Sequence, residues 1–409
     1  MNVLFFSSYV SRESGASHAL RETVRRISAG GARPVVAIPD CSDSREMFPS
    51  SEFDAVYLPL ERPRKAWNPL LHARFAWSLP RTLSALGRLI RERGIEIVHS
   101  NEITDFAGGI AGRFCGKPCV FHVRTDAIQR PYRWPLMPLL DSIADVVVVP
   151  SEATQAWIAA ERPSLGEKIR VIYDHAFDIR GYDPPLSGAA FRAELGITPD
   201  AILVVLVSKL VAPKGHECFI RAAEIARRSL KRIYFVIVGG EVPGHEREAS
   251  AIRTLAEQLA PAPGLRMTGA RPDLPAVFAA SDIAVHCPTY PDPYPTVVLL
   301  AMLSGKPVIG SDTGGIPEQI ENGRTGLLVP PGDPDFLADT ILRLAQNPGQ
   351  REALGAAARR KIREEFAPQS QARLLLDIYA DLRDAASGER RRAAAAEARA
   401  RRKTSPAEN

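Results

Sequence analysis

The sequence predicts two doubly wound parallel α/β domains in tandem. Three observations carry that expectation. Short β-branched runs alternate with longer helical patterns along almost all of the 409 residues. Most of these runs are continuously apolar rather than alternating, as strands buried on both faces of a parallel sheet must be. The rhythm pauses once, over residues 177–199, where Asp, Pro and Gly accumulate without an apolar period. With 45% hydrophobic and 24% charged residues the composition is that of a folded chain, and the length calls for two or three domains.

In the first half the strands are expected at residues 2–7, 34–38, 55–58, 95–99, 118–122, 145–149 and 168–173. Between them, residues 81–93 place Leu83, Leu86, Leu89 and Ile90 on one stripe and stop at Gly94, a helix-ending signal. The second half resumes with a strand at 201–208, a helix from about Lys214, a strand at 233–239 and a helix within 245–260. Strands at 265–269, 282–286, 306–310 and 326–329 follow. Residues 359–382 are helical by pattern, with Ile362, Phe366, Leu374, Leu375, Ile378, Tyr379 and Leu382 apolar. The expected organisation is therefore domain 1–180, linker 181–199, domain 200–365, a helix over 366–387 returning to the first domain, and a tail over 388–409. Such sheets bind ligands at the carboxyl ends of their strands, so a pair of them facing each other encloses a cleft.

Charge and cysteine usage narrow the function. The net charge is +5, but residues 388–409 hold seven Arg/Lys against three Glu, so the other 387 residues carry only 5 − 4 = +1. A nucleic-acid-binding body concentrates basic charge on its folded surface, and this one does not. No apolar run approaches the roughly 18 residues that span a bilayer. The N-terminus, Met1-Asn2-Val3-Leu4-Phe5-Phe6, reads as a first strand rather than a signal peptide. Cys41, Cys115, Cys119, Cys218 and Cys287 are scattered without metal-ligand spacing and are expected to be reduced thiols. These features point to a cytoplasmic protein without a metal. The tail, Arg/Ala/Glu-rich and without an apolar face, is expected to be disordered or a frayed helix. A basic tail visiting anionic lipid headgroups is the alternative, at about 1 kcal/mol per basic residue near the surface.

Five segments place polar or flexible residues just after an expected strand. Residues 8–19 leave the first strand and enter a helix past Gly15-Ala16, where backbone can approach an anion at the helix start or simply turn tightly. Residues 208–216 set Lys209 and Lys214 around a turn before a helix, an arrangement suited to a pyrophosphate and equally to two solvated lysines. Residues 287–308 run from a strand end through Pro291-Asp292-Pro293-Tyr294-Pro295 into an apolar helix. Residues 311–318, Ser-Asp-Thr-Gly-Gly-Ile-Pro-Glu, lead to Thr325-Gly326-Leu327-Leu328-Val329. His122 closes a first-half strand, a position open to a structural histidine as well as a functional one.

Together these motifs give the chain a strong similarity to the retaining family-4 glycosyltransferases, whose fold is the two-domain, Rossmann-like GT-B arrangement. The resemblance rests on Lys209, Lys214-Gly215, Asp292-Pro293-Tyr294-Pro295, Ala301-Met302, Gly305-Lys306-Pro307-Val308, Gly314–Glu318 and Gly323–Val329, in that order. In the first half it rests on Gly15, Val98-His99-Ser100-Asn101, His122, Pro150-Ser151-Glu152 and Val171-Ile172-Tyr173. It implies transfer of a sugar from a nucleoside diphosphate sugar to a saccharide or lipid-linked acceptor with retention, in cell-envelope or exopolysaccharide synthesis, with no cofactor and no metal. It also implies the roles. Lys209 and Lys214 hold the donor diphosphate, Asp292 faces the donor sugar as the first acid of an E-x7-E motif, and His122 contacts the transferred sugar. The backbone at Tyr294, Thr296 and Val297 lies beside sugar and phosphates, Gly15 lies on a loop closing over the diphosphate, and Arg271 meets the nucleobase.

The chain departs from that pattern at four positions. The second glutamate, which accepts the ribose hydroxyls, is Leu300. Losing a charge-assisted bond of roughly 1.5–3 kcal/mol lowers donor affinity about ten- to hundredfold. Lys209 stands for the usual arginine, Pro295 for a glycine, and Asp292 for glutamate. A catalytically weakened GT-B scaffold or regulatory partner is therefore the alternative, and a sugar-nucleotide epimerase is a third reading that the Gly-Gly-Ile-Pro-Glu element disfavours. For the acceptor, residues 61–77 mix basic and aromatic side chains, as a stretch lying on an anionic membrane does, and as an ordinary domain helix does too.

Overall fold

The computed structural model describes residues 1–12, 14–61, 69–124, 130–174, 179, 181–182, 186–259, 264–365 and 370–404. Residues 62–68 of the basic–aromatic stretch, parts of the 177–199 pause, and Phe366 lie outside the described residues. So does the end of the tail, 405–409. The described chain divides into two compact units. One comprises Met1–Val149, Ile158–Ile172 and the chain from Pro368; the other comprises Pro150–Trp157 and Tyr173–Ala367.

The first unit is a seven-stranded sheet of β1 (Asn2–Phe6), β2 (Arg33–Pro39), β3 (Asp54–Leu58), β4 (Ile97–Ser100), β5 (Cys119–His122), β6 (Val146–Val149) and β7 (Ile169–Val171). The order is β3-β2-β1-β4-β5-β6-β7 and every pairing is parallel. Its helices are α1 (Gly15–Ala29), α2 (Ser42–Met47), α3 (Pro69–Glu92), α4 (Phe106–Phe114), α5 (Arg130–Ile143) and α6 (Glu152–Glu161), whose first residues belong to the second unit. The α3 stripe is as anticipated: Leu86 and Ile90 are buried, and Gly94 takes φ +56° just past the end. The β1–β4 neighbourhood, where chain order reverses, is the switch point at which such sheets bind ligands.

The second unit holds α7 (Ala189–Glu194), β8 (Ile202–Val207), α8 (His216–Ser229), β9 (Ile233–Val238), α9 (Glu246–Leu259), β10 (Leu265–Met267), α10 (Leu274–Ala280) and β11 (Ile283–His286). It continues through α11 (Thr296–Leu303), β12 (Val308–Ser311), α12 (Ile316–Gln319), β13 (Leu327–Val329), α13 (Pro334–Gln346) and α14 (Pro348–Glu365). Its parallel order, β10-β9-β8-β11-β12-β13, puts the switch point between β8 and β11. The strands are the apolar runs of the sequence, with ends displaced by up to two residues in either direction. The helix expected from Lys214 starts at His216, after a 3₁₀ turn over Ala212–Lys214 that includes Pro213.

One segment differs from the sequence expectation. Within 181–199, read as a linker, α7 buries Phe191 and Leu195, and with Tyr182 and Ile197 they join the apolar layer beneath β8. Six residues are too few for periodicity to announce a helix. The tail beyond Gly388, expected to be disordered or a frayed helix, continues α15 (Ser370–Thr404), in keeping with its Ala, Arg and Glu, all strong helix formers. Within the first unit α15 packs on α1 and β4, burying Ala372, Leu375 and Tyr379 in the core formed by Val3, Phe5, Leu20 and Val24. Among the described residues no helix is long and apolar enough to cross a membrane, and the five cysteines are unpaired.

Candidate active site

In the second unit the carboxyl ends of β8 and β11 bring together Lys214 and Asp292. The first follows β8 on the Pro213-Lys214-Gly215 turn, the second follows β11 on the proline-rich loop, and their Nζ and Oδ2 atoms lie 2.5 Å apart. The turn is fixed on both sides. Glu248 of α9 accepts from the Ala212 amide at 2.8 Å, and the Thr289 amide donates to the Pro213 carbonyl at 3.0 Å. Gly215 is obligatory there: at φ +79°, an added Cβ would sit 1.7 Å from the Cys287 carbonyl oxygen. The Lys214 ammonium also lies 5.9 Å from the Tyr290 ring centroid. Lys209 is half-buried two residues beyond β8 on the same connection.

Asp292 is buried, and a second partner holds it: His286, the last residue of β11, with Nε2 at 3.0 Å from the same Oδ2. Burial alone would raise the carboxyl's pKa. The Lys214 charge and the His286 hydrogen bond outweigh it and hold Asp292 well below the usual carboxylate range. Burial in turn pushes His286 down, so its imidazole is neutral and Nε2 carries the donated hydrogen. Nothing in the sequence pattern singled out His286; its only signal is its place as a strand-ending histidine six residues before an acid.

The Gly-Gly-Ile-Pro-Glu element packs directly on this loop. The Gly315 amide donates to the Asp292 carbonyl at 2.9 Å, and Gly314, at φ +60°, would clash with the Asp292 backbone if it carried a Cβ. Glu318 accepts from the amides of Glu152 and Ala153, both at 2.9 Å, capping α6 and joining the Pro150-Ser151-Glu152 motif to the same surface. Beside it α11 begins at Thr296, with Pro295 as its N-cap and no side chain capping it. The first-turn amides of Thr296 and Val297 therefore remain outside the helix ladder, a favourable setting for an anion. Tyr294 is buried, its ring 5.3 Å from that of Tyr173.

Leu300 is 7% exposed and belongs to the apolar layer with Val298, Leu299 and Ala301. Leu300→Glu is therefore expected to lower stability by about 3 kcal/mol, the cost of a poorly solvated carboxyl. That is a fall in Tm of roughly 10 °C for a unit of this size, readable by calorimetry. An unchanged Tm would show that the position reaches solvent.

Two of the residues named from the sequence stand differently. Arg271 is engaged by acids: bidentate to Glu194 at 2.7 and 3.0 Å, twice to Asp273 at 2.8 Å, and 5.0 Å from the Phe191 ring centroid. It fastens α7 to the loop after β10, which raises its pKa further. The sequence offered no sign of this because Glu194 is 77 residues away. Gly15 opens α1 with empty space where a Cβ would go, so nothing within 4 Å demands glycine at that position.

In the first unit, a buried polar cluster occupies the carboxyl ends of β1, β4 and β5. His122 is fully buried, and Arg124 places Nη2 3.1 Å from its Nδ1. His99 lies 5.7 Å away ring to ring, its Nδ1 2.6 Å from the Tyr379 hydroxyl. Asp105 accepts from the Ser8 amide and hydroxyl at 2.8 and 2.5 Å. Burial pushes Asp105 up to about 6 and, with the charge of Asp105, Glu102 up to about 8. Burial pulls Arg124 down to about 10 and His99 to about 3. Thr125 and Asp126, which follow in the sequence motif, lie outside the described residues. Among the described residues no group of three or more His, Cys, Asp or Glu is placed to hold a metal ion.

Comparison with known proteins accounts for both halves. Residues 14–174 match the family described as Glycosyltransferase Family 4, and residues 189–361 the family described as Glycosyl transferases group 1. Both domains of the GT-B fold are present, and each half matches a glycosyltransferase family model. Among curated relatives, it is 31% identical over 243 residues to a D-inositol 3-phosphate glycosyltransferase of Corynebacterium efficiens, covering 58% of this chain and 57% of that one. The namesake of Corynebacterium jeikeium is 33% identical over 220 residues, 52% of each chain. The chain thus spans little more than half the length of the curated relatives it matches. A solved structure of HepE from Anabaena with UDP-glucose superposes with a TM-score of 0.80 at 20% identity, over 93% of this chain and all of that one. A glycosyltransferase from Rickettsia africae gives 0.77 at 17% identity, over 93% and 98%. At these identities the structural likeness is one of fold.

Proposed function

We propose that this protein transfers a glycosyl group from a nucleoside diphosphate sugar to a saccharide or lipid-linked acceptor, with retention of the anomeric configuration, in cell-envelope or exopolysaccharide synthesis. The observation that carries the reading is the Lys214–Asp292 pair at the carboxyl ends of β8 and β11, next to the uncapped start of α11. A cation and free amides at a sheet's switch point suit a diphosphate, and a carboxylate beside them suits sugar hydroxyls. The relatives' name is that of a glycosyltransferase, and the solved complexes of the Anabaena protein hold UDP and UDP-glucose; we extend glycosyl transfer and a nucleotide-sugar donor to this protein.

In the proposed reaction Lys214 and Lys209 neutralise the departing diphosphate, the largest electrostatic demand of the step. The α11 amides of Thr296 and Val297 take further phosphate or sugar oxygens, with the Tyr294 backbone alongside. Asp292, held ionised, positions donor hydroxyls rather than attacking carbon, and in the first unit His122 contacts the transferred sugar. The loop at Gly15 is proposed to close over the diphosphate. With its guanidinium held by Glu194 and Asp273, Arg271 is proposed to meet the base through its flat face or its backbone. No metal and no further cofactor enter this scheme. For the acceptor, α3 leaves Leu70 and Trp77 exposed beside Arg74 and Arg81, along a groove of about 880 Å³, which supports a lipid-bearing acceptor at a membrane surface.

Purified protein assayed for nucleotide release against UDP-, GDP- and ADP-sugars is expected to turn over one member of the panel, with NMR of the product reporting an unchanged anomeric configuration. Inversion would remove the retaining step while leaving the transfer. The burial of Leu300 favours a second reading, a GT-B scaffold with weakened chemistry. It predicts no release and no calorimetric binding of any donor.

A further inference from the structure

We propose that Arg124 is a positioning residue that fixes His122 as the Nε2–H tautomer, so that this imidazole serves only as a hydrogen-bond donor, from Nε2, toward a ligand oxygen. A guanidinium has donors and no acceptor, so a 3.1 Å contact between Arg124 Nη2 and His122 Nδ1 requires a lone pair on Nδ1. In a neutral imidazole the hydrogen then sits on Nε2. An imidazolium would set two cations and two donors against each other in a dry site. His122 Nε2 is buried with no partner among the described residues, and a buried orphan donor is costly unless a bound molecule takes it.

The surroundings point the same way from every side. The β4 neighbour His99 engages the Tyr379 hydroxyl of α15 through its own Nδ1, 2.6 Å away, and makes no hydrogen bond to His122 Nε2. The acids of the cluster, Asp105 and Glu102, sit on the turn after β4 and make no hydrogen bond to His122: Ser8 donates to Asp105 Oδ1, and the Glu102 carboxyl lies within the field of Arg124. Desolvation first, then Arg124 and His99, hold His122 well below the ordinary histidine value. A general-base role at Nε2 is thereby removed, because the nitrogen without a partner among the described residues already bears the hydrogen. The identity of the oxygen as one of a sugar rests on the function proposed above; the tautomer does not.

The test separates the two. Long-range ¹H–¹⁵N correlation spectra of the full chain labelled with ¹⁵N-histidine, recorded without substrate and assigned by the signal lost in His122→Gln, read the tautomer directly. The expected pattern is neutral Nε2–H throughout pH 5.5–8.5. Either an Nδ1–H pattern or an imidazolium in that window would overturn the proposal. Arg124→Met is expected to populate both tautomers, while Arg124→Lys, which keeps one donor, restores the single form. If Arg124→Met keeps pure Nε2–H, or if Arg124→Lys behaves like Arg124→Met, the fixing role falls. Should Arg124→Met not fold, the wild-type spectrum and the lysine variant still decide. With a donor that is turned over, Arg124→Met lowers kcat about tenfold with a smaller change in KM. Failure of every sugar nucleotide would sink the transferase reading and leave these spectra standing.

Discussion

Lys214→Ala is expected to lower kcat/KM for nucleotide release by about 10²–10³, the usual cost of removing one preorganised electrostatic group from a transition state that develops charge. The lysine sits where the diphosphate is proposed to depart, and its ammonium is already oriented by Asp292 at 2.5 Å. Removing it also leaves a buried carboxylate with His286 as its remaining named partner. A stability loss of about 2 kcal/mol follows, less than for a fully buried pair because Lys214 is 23% exposed. The sign of the pH effect is fixed by Asp292. A carboxyl held below its unfolded value contributes stability that is complete above the ordinary carboxylate range near pH 4 and is lost only as pH falls toward its much lower folded value. The variant's deficit should therefore be full at pH 7 and smaller, though still present, at pH 3, seen in melts across that range. Unchanged donor affinity in titration calorimetry would mean that the diphosphate lies elsewhere.

Gly215→Ala is expected to be as damaging through the backbone. The residue combines φ +79° with a Cys287 carbonyl oxygen 1.7 Å from the position of a Cβ. Left-handed strain of roughly 1–3 kcal/mol and overpacking of a similar size act together. The sum, about 2–6 kcal/mol, corresponds to a fall in Tm of about 10 °C. The turn carrying Lys214 must also move away from the loop carrying Asp292, so donor binding should weaken more than the lost stability alone explains. Measuring affinity at a temperature where the variant remains folded separates the two effects.

The sheets were legible because a strand buried on both faces has nowhere to put a polar residue, so the runs at β8 and β9 announce themselves as Ile-Leu-Val-Val-Leu-Val and Ile-Tyr-Phe-Val-Ile-Val. The Lys214–Asp292 pair was legible as two motif positions, since each follows a strand. What the pair leans on was not. His286 reads as the end of a strand, and Glu318 reads as part of a glycine motif until its bonds to the Glu152 and Ala153 amides are seen, 166 and 165 residues apart. Arg271 shows the same limit: its hold by Glu194, on a helix of six residues, leaves no mark in the sequence around it. Long-range partners carry no local signal, and a short helix carries almost none.

The last helix sets the order in which a ribosome can finish this protein. Tyr379 is fully buried in the first unit and bonded to His99, yet it leaves the exit tunnel about 200 residues after β7. At translation rates of about 5–20 residues per second the first sheet waits some 10–40 s with the α1 and β4 surfaces uncovered. The second unit, contiguous from Tyr173 apart from one short excursion, is complete before that wait ends. A chain cut off before α15 would keep its second sheet and emerge with an unfinished, chaperone-dependent first one.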